Sequence, residues 1–250
     1  MQPLAFRYTI LMMIVLLSAY TAMAQRRDEI WPEINAFYRF NDKFRLYGLA
    51  SGTQQDSSGF ADGSMALHLD YFTLPYFKRN KGMDTVRGYY LWLRAGYAYG
   101  SSASGADNPY REHMIITEAN SLFYMPWNIQ AALKNRVDWR IYNNDFSPRY
   151  RPRLMFARDF RTMYLTFNSY VYGEYFVNFD DALHNRFRLC LGTELRVSRI
   201  FNFEAYIMRQ FDNGLKSSAL SAVGLVLKMY LKHHDKKVTV DEKDPSAVNQ

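Results

Sequence analysis

Arginines recur on a single parity in three places along the chain. "KNRVDWR" carries Arg136 and Arg140 with Lys134 and Asp138 on the same parity. "RYRPRL" carries Arg149, Arg151 and Arg153, and "NRFRL" carries Arg186 and Arg188. A spacing of two puts side chains on one face of an extended strand. Each set therefore presents a row of guanidinium groups to one surface. Such groups stay charged and grip carboxylates or phosphates with two parallel hydrogen bonds. The chemistry implied is anion recognition. Arg136, Arg140, Arg149, Arg151, Arg153, Arg186 and Arg188 are the candidate anion-lining residues, and Glu174 of "YVYGEYF" is the opposing counter-charge.

Other chemistry has little to stand on. The histidines are His68, His113, His184, His233 and His234, and none is followed two residues later by the serine that an outer-membrane acyl hydrolase would pair with it. No cluster has metal-ligand spacing, and no cofactor is implied. The single cysteine, Cys190, excludes an intrachain disulfide and reads as buried filling. An enzyme is not expected, and a lipid-modifying activity ranks third among the functions considered.

The elements that carry the arginines have a second face. In "HNRFRLCLGTELRVS", Phe187, Leu189, Leu191, Leu195 and Val197 alternate with Arg186, Arg188, Glu194 and Arg196. A soluble sandwich would turn the charges to water and bury the apolar row. A transmembrane barrel would turn the apolar row to lipid and the charges to its lumen.

Three features favour the barrel. The first 24 residues read as a cleavable signal peptide: Arg7, the apolar run "YTILMMIVLLSAY", and the small-x-small site Ala22-Met23-Ala24. An exported chain has little occasion to meet nucleic acid, despite a formal net charge of +7. Second, alternating segments run at 33–40, 43–54, 63–74, 88–99, 111–124, 128–141, 149–158, 162–176, 185–198, 201–211 and 218–231. Many exceed the ~5–6 residues of ordinary strands and match the ~9–11 that cross a bilayer at a tilt. Third, short turns at Asn41–Asp42, Met125–Trp127, Asp159–Arg161 and Arg199–Ile200 alternate with long polar loops, the pattern of outer-membrane barrels. The connection 75–87 breaks that pattern by being long on the short-turn side. Aromatics at 17% of the chain suit strands and membrane interfaces better than helices.

The expected fold is an all-β, antiparallel, up-and-down transmembrane β-barrel of about twelve strands, with ten as the alternative, because bacterial single-chain barrels have even counts. The segments above number one fewer than twelve, so either a further strand lies near 25–31 or within 75–87, or two of the segments are one. The domain plan is a leader (1–24), a barrel (25–232) and a disordered charged tail (233–250). If the short turns are periplasmic, Arg140, Arg149, Arg151, Arg186 and Arg188 fall in the outer half, where Glu174 alone among the candidate residues opposes them.

"IWPEINAFYRFNDKFRLY", "NRVDWRIY", "RYRPRL", "NSYVYGEYFVNF" and "NRFRLCLGTELRVS", in that order, resemble domain-of-unknown-function family 2490, whose members are predicted outer-membrane β-barrels. The resemblance covers about 29–231 and implies the barrel and its location in a Gram-negative outer membrane. It implies no activity and no catalytic residues. The expected partners are outer-membrane lipid, the barrel-assembly machinery during biogenesis and small anionic solutes, with the protein acting as a monomer. Two functions head the expectation: a lumen that binds or passes small anions, and a packed interior serving a structural barrel that works through its loops.

Overall fold

The computed structural model describes residues 28–55, 60–73, 91–103, 109–162, 165–179, 186–212 and 219–232. The expected leader (1–24) and tail (233–250), the connection 75–87 and His184, His233 and His234 lie outside them. The described chain is strand throughout, apart from turns: β1 (Asp28–Arg39), β2 (Phe44–Gln55), β3 (Phe60–Phe72), β4 (Leu91–Ser102), β5 (Arg111–Met125), β6 (Ile129–Tyr142), β7 (Asp145–Phe146), β8 (Arg149–Arg161), β9 (Thr166–Asn178), β10 (Arg186–Arg196), β11 (Phe201–Asp212) and β12 (Ala219–Lys232). Successive strands pair antiparallel from β1 to β6, β8 follows β6 in the wall, and pairing continues to β12, which closes on β1.

Among the described residues, eleven strands make the wall, and β7 is a two-residue arm on β6 outside the ring. Strands that alternate up and down around an odd ring must meet once in the same direction. That meeting is β1 with β12, paired in parallel from Asp28 opposite Ser221 to Arg39 opposite Lys232. Of the two places expected for a further strand, the connection 75–87 lies outside the described residues. The residues from Asp28 extend β1 itself, and the twelfth strand lies within the "YNNDFSP" loop, where Asn143 and Asn144 take positive φ (50° and 77°). Paired asparagines at φ > 0 make the two-residue turn whose twist suits a hairpin.

The turns follow local chemistry. Asn41 accepts from the Lys43 and Phe44 backbone N–H groups through its side chain, closing β1 onto β2. Ser198 does the same for Ile200 and Phe201 between β10 and β11. The turn expected at Asp159–Arg161 instead lies beyond them: β8 runs on to Arg161, and the Thr162 hydroxyl bonds both the N–H and the carbonyl of Leu165. A threonine that can cap its own turn outcompetes charged residues that fit a strand equally well.

The two faces of the wall are sorted opposite to a water-soluble sandwich. Inward positions hold Arg45, His68, Asp70, Glu118, Asn120, Asp138, Arg151, Glu174 and Glu204, all buried. Outward positions hold large exposed apolar side chains, among them Met65, Leu67, Ile115, Leu154, Leu191 and Leu225. Cys190, Met208 and Ala222 sit directly opposite one another on β10, β11 and β12 and form a small apolar cluster inside. Beside it, Tyr170 lies across Gly192 and Tyr206 across Gly224, so closely that a Cβ at either glycine would enter the ring. Glycine here is a requirement of close approach, because a flat ring fills the space a side chain would need.

Candidate functional site

Strand register turns isolated charges into a belt. Inward residues directly opposite one another on successive strands read Arg45 (β2), Asp70 (β3), Arg94 (β4), Glu118 (β5), Arg136 (β6) and Arg151 (β8). Signs alternate along most of this row, the favourable arrangement for cross-strand pairs. Arg45 and Arg94 both reach Asp70 at 2.6 Å, and Arg94 continues to Glu118 at 3.8 Å. Glu118 also takes Lys134 at 3.0 Å and Arg136 at 3.5 Å. Arg136 then pairs with Asp138, which holds Arg149 at 2.9 Å and Arg151 at 3.3 Å. Arg151 passes the chain to Glu174 at 3.1 Å, which Arg153 grips at 3.0 Å. Because barrel strands tilt, a row perpendicular to them climbs as it goes round. The row leaves the short-turn ends of β2 and β3 and reaches the long-loop ends of β8 to β11.

Aromatic rings back the cations. Arg45 stacks on Phe37 (4.6 Å) and Phe72 (5.1 Å), Arg94 on Tyr47 (4.4 Å), Arg151 on Phe176 (4.4 Å) and Arg153 on Tyr172 (4.1 Å). Such contacts offset part of the desolvation of a buried guanidinium. The rings also join one another. Tyr230, Phe37, Tyr47 and His68 stack in sequence at 4.9, 4.7 and 5.1 Å, crossing the parallel seam from β12 to β3. His68 shares its face with Asp70 but serves as the last ring of this stack. On the other side of the seam, Lys228 bonds Glu194 (2.7 Å) and Glu204, and the Tyr170 hydroxyl donates to Glu204 at 2.5 Å.

All seven candidate arginines stand on inward positions, but the geometry divides them. Arg136, Arg151, Arg153, Arg186 and Arg188 line an interior cavity of about 780 Å³, together with Trp31, Glu33, Tyr206 and Lys134. Arg140, Arg149 and Glu174 are not among its lining residues. Glu174 is joined by other carboxylates in opposing the outer cations. Arg140 pairs with Glu112, Arg149 with Asp138, and Arg186 with Asp212 at 2.7 Å, while Glu174 is committed to Arg151 and Arg153. Among the described residues, Arg188 has no carboxylate within ion-pair distance. Its Nε donates to Gln210 at 2.7 Å, and its guanidinium stacks on Phe176 (4.6 Å) and Trp31 (5.1 Å).

Arg45, Asp70, Arg94 and Glu118 join the site although they are not among the candidates that spacing alone singles out. Their signal was present, since each lies on the polar parity of its strand. What was missing was the register that sets them opposite one another. His113 faces outward near the long-loop end, where its Nδ1 meets the Tyr97 hydroxyl at 2.6 Å. Among the described residues, no group of His, Cys, Asp and Glu could hold a metal ion.

The fold and its interior define the class: a closed β-barrel with a polar, ion-paired inside and an apolar outside. The chain belongs to the family described as a protein of unknown function, DUF2490, whose model matches residues 28–220. No curated protein and no solved structure matches it.

Proposed function

We propose that this protein is an exported outer-membrane β-barrel whose interior receives small anionic solutes on the arginine-bearing wall of β6, β8 and β10. One observation carries the membrane reading: the sorting of the two faces. Met65 is 69% exposed, Ile115 58% and Leu191 56%, while Asp70, Asp138 and Glu174 are fully buried. Apolar surface costs about 25 cal/mol per Å² in water, and a continuous outer belt far exceeds the few hundred Å² a soluble monomer tolerates. Lipid removes that cost. The closed hydrogen-bonded ring also leaves no unpaired edge to face hydrocarbon. Lipid and the assembly machinery are then its obligatory partners, and the monomer is its working form.

The pairing of the lumen cations bears on what passes. A wall whose arginines are matched by carboxylates has a weak net field, so it supports local binding at Arg188 better than strong anion selectivity. The belt equally favours a second reading, in which the interior is a structural filling and the loops do the work. Planar-bilayer conductance of the purified barrel separates them: an ion current that Arg188→Gln reduces supports the first, and a silent barrel supports the second. Recovery of the protein from the soluble periplasm, without heat-modifiable migration in detergent, would refute the membrane assignment itself.

A further inference from the structure

Among the described residues, two opposite charges that line the interior cavity go without partners of opposite sign. Arg188 on β10 gives only its Nε to Gln210 and lies against Trp31 and Phe176. The nearest candidate counter-ion, Glu174, is held by Arg151 and Arg153. Glu33 on β1 accepts a hydrogen bond on Oε1 from Asn35 Nδ2 at 2.5 Å and, among the described residues, has no Lys or Arg within ion-pair distance. Lys228, the cation of that region, is taken by Glu194 and Glu204. In both cases the partner is a neutral amide. Such a partner orients a charged group without cancelling its charge.

Both groups line the same cavity of about 780 Å³, and Trp31 lines it as well. Trp31 stacks on Arg188, and Glu33 is the next inward residue of β1 after Trp31. Elsewhere the interior spends a carboxylate on nearly every cation, as low-dielectric surroundings demand. A cavity of this size is within the ~300–1,000 Å³ range of ligand sites, ample for a small molecule with accompanying water. We propose that the cavity binds a small zwitterion, with the ligand's carboxylate on Arg188, its ammonium group on Glu33 and its carbon chain against Trp31. The guanidinium supplies the two parallel donors a carboxylate takes. Among the described residues the hydrogen bond to Glu33 goes to Oε1, which leaves Oε2 for the ammonium. This rests on the interior being a solute-binding one, and it narrows the solute from any anion to one that also carries a positive charge.

Calorimetric titration of the folded barrel in detergent tests it with four probes: alanine, 4-aminobutyrate, acetate and ethylamine. At least one zwitterion is expected to bind about tenfold or more tighter than acetate or ethylamine, which corresponds to about 1.4 kcal/mol. Arg188→Gln is expected to abolish that binding, and Glu33→Gln to reduce the zwitterion's affinity to that of acetate. Each substitution removes an uncompensated charge, so heat-modifiable migration should be retained, and the wild-type panel decides even where a variant fails to fold. Acetate binding as tightly as the zwitterions overturns the zwitterion proposal and leaves the anion reading standing. Ethylamine binding as tightly as them also overturns it. Failure of all four probes to bind overturns both.

Discussion

Replacing Asp138 by asparagine keeps the shape of the side chain and removes the charge on which three arginines converge. Asp138 is fully buried and holds Arg149 at 2.9 Å, Arg151 at 3.3 Å and Arg136 as well. After Asp138→Asn, Arg136 still has Glu118 and Arg151 still has Glu174. Arg149 keeps only the Phe176 ring, 5.3 Å away. Breaking a buried ion pair from one side costs roughly 3–5 kcal/mol, because the partner's charge stays buried. With two of the three arginines retaining a second carboxylate, the lower figure applies, about 3 kcal/mol. At an unfolding slope of about 1–3 kcal/mol/M, the urea midpoint of the detergent-refolded barrel should fall by about 1–3 M. Adding Arg149→Gln should recover part of the loss, since it removes the stranded cation. A midpoint that does not move would show that these pairs behave like hydrated surface pairs, worth about 0–1 kcal/mol. A double variant no more stable than Asp138→Asn would show that Arg149 is not the stranded partner. Either result refutes the reasoning from the belt.

Gly224→Ala should destabilise the barrel by about 1–3 kcal/mol, because the new methyl would enter the Tyr206 ring; Gly48→Ala, whose nearest atom lies 4.0 Å away, is the control in the same urea titration. Cys190, buried against Met208 and Ala222, should resist maleimide labelling in the folded barrel and react fully once unfolded. Parallel pairing of β1 with β12 puts the start of β1 and the end of β12 at opposite ends of the wall. Cleavable tags placed before Asp28 and after Lys232 should therefore be cut from opposite faces of reconstituted vesicles. Cleavage of both from the same face would break the parallel seam.

How much of this was legible before folding differs from residue to residue. Arg149, Arg151 and Arg153 could be assigned one face from spacing alone, since successive side chains of a strand point to opposite sides. The all-β barrel was legible for the same reason: long alternating segments joined by turns have few other ways to bury their backbone. The turn at Thr162–Leu165 was not, because Asp159–Arg161 reads equally well as strand or turn until the threonine hydroxyl finds Leu165. Nor was the seam. The spacing of segments says nothing about the direction in which the last meets the first, and β7 is too short for any periodicity to announce it.

Alternation, then, is local, and the sequence by itself determined it: which residues share a face, which face is apolar, where most strands run. Partnership is not local. That Arg186 meets Asp212, that Glu174 serves Arg151 and Arg153, and that Arg188 and Glu33 are left without counter-ions among the described residues depends on register between strands distant in the chain. A shift of one residue would flip a strand's faces, and a shift of two would keep the faces while exchanging every ion pair. Only closure of the ring, with its stagger and its one parallel seam, selects among those registers. The tertiary structure therefore decided which charges in the interior are spent on one another and which remain.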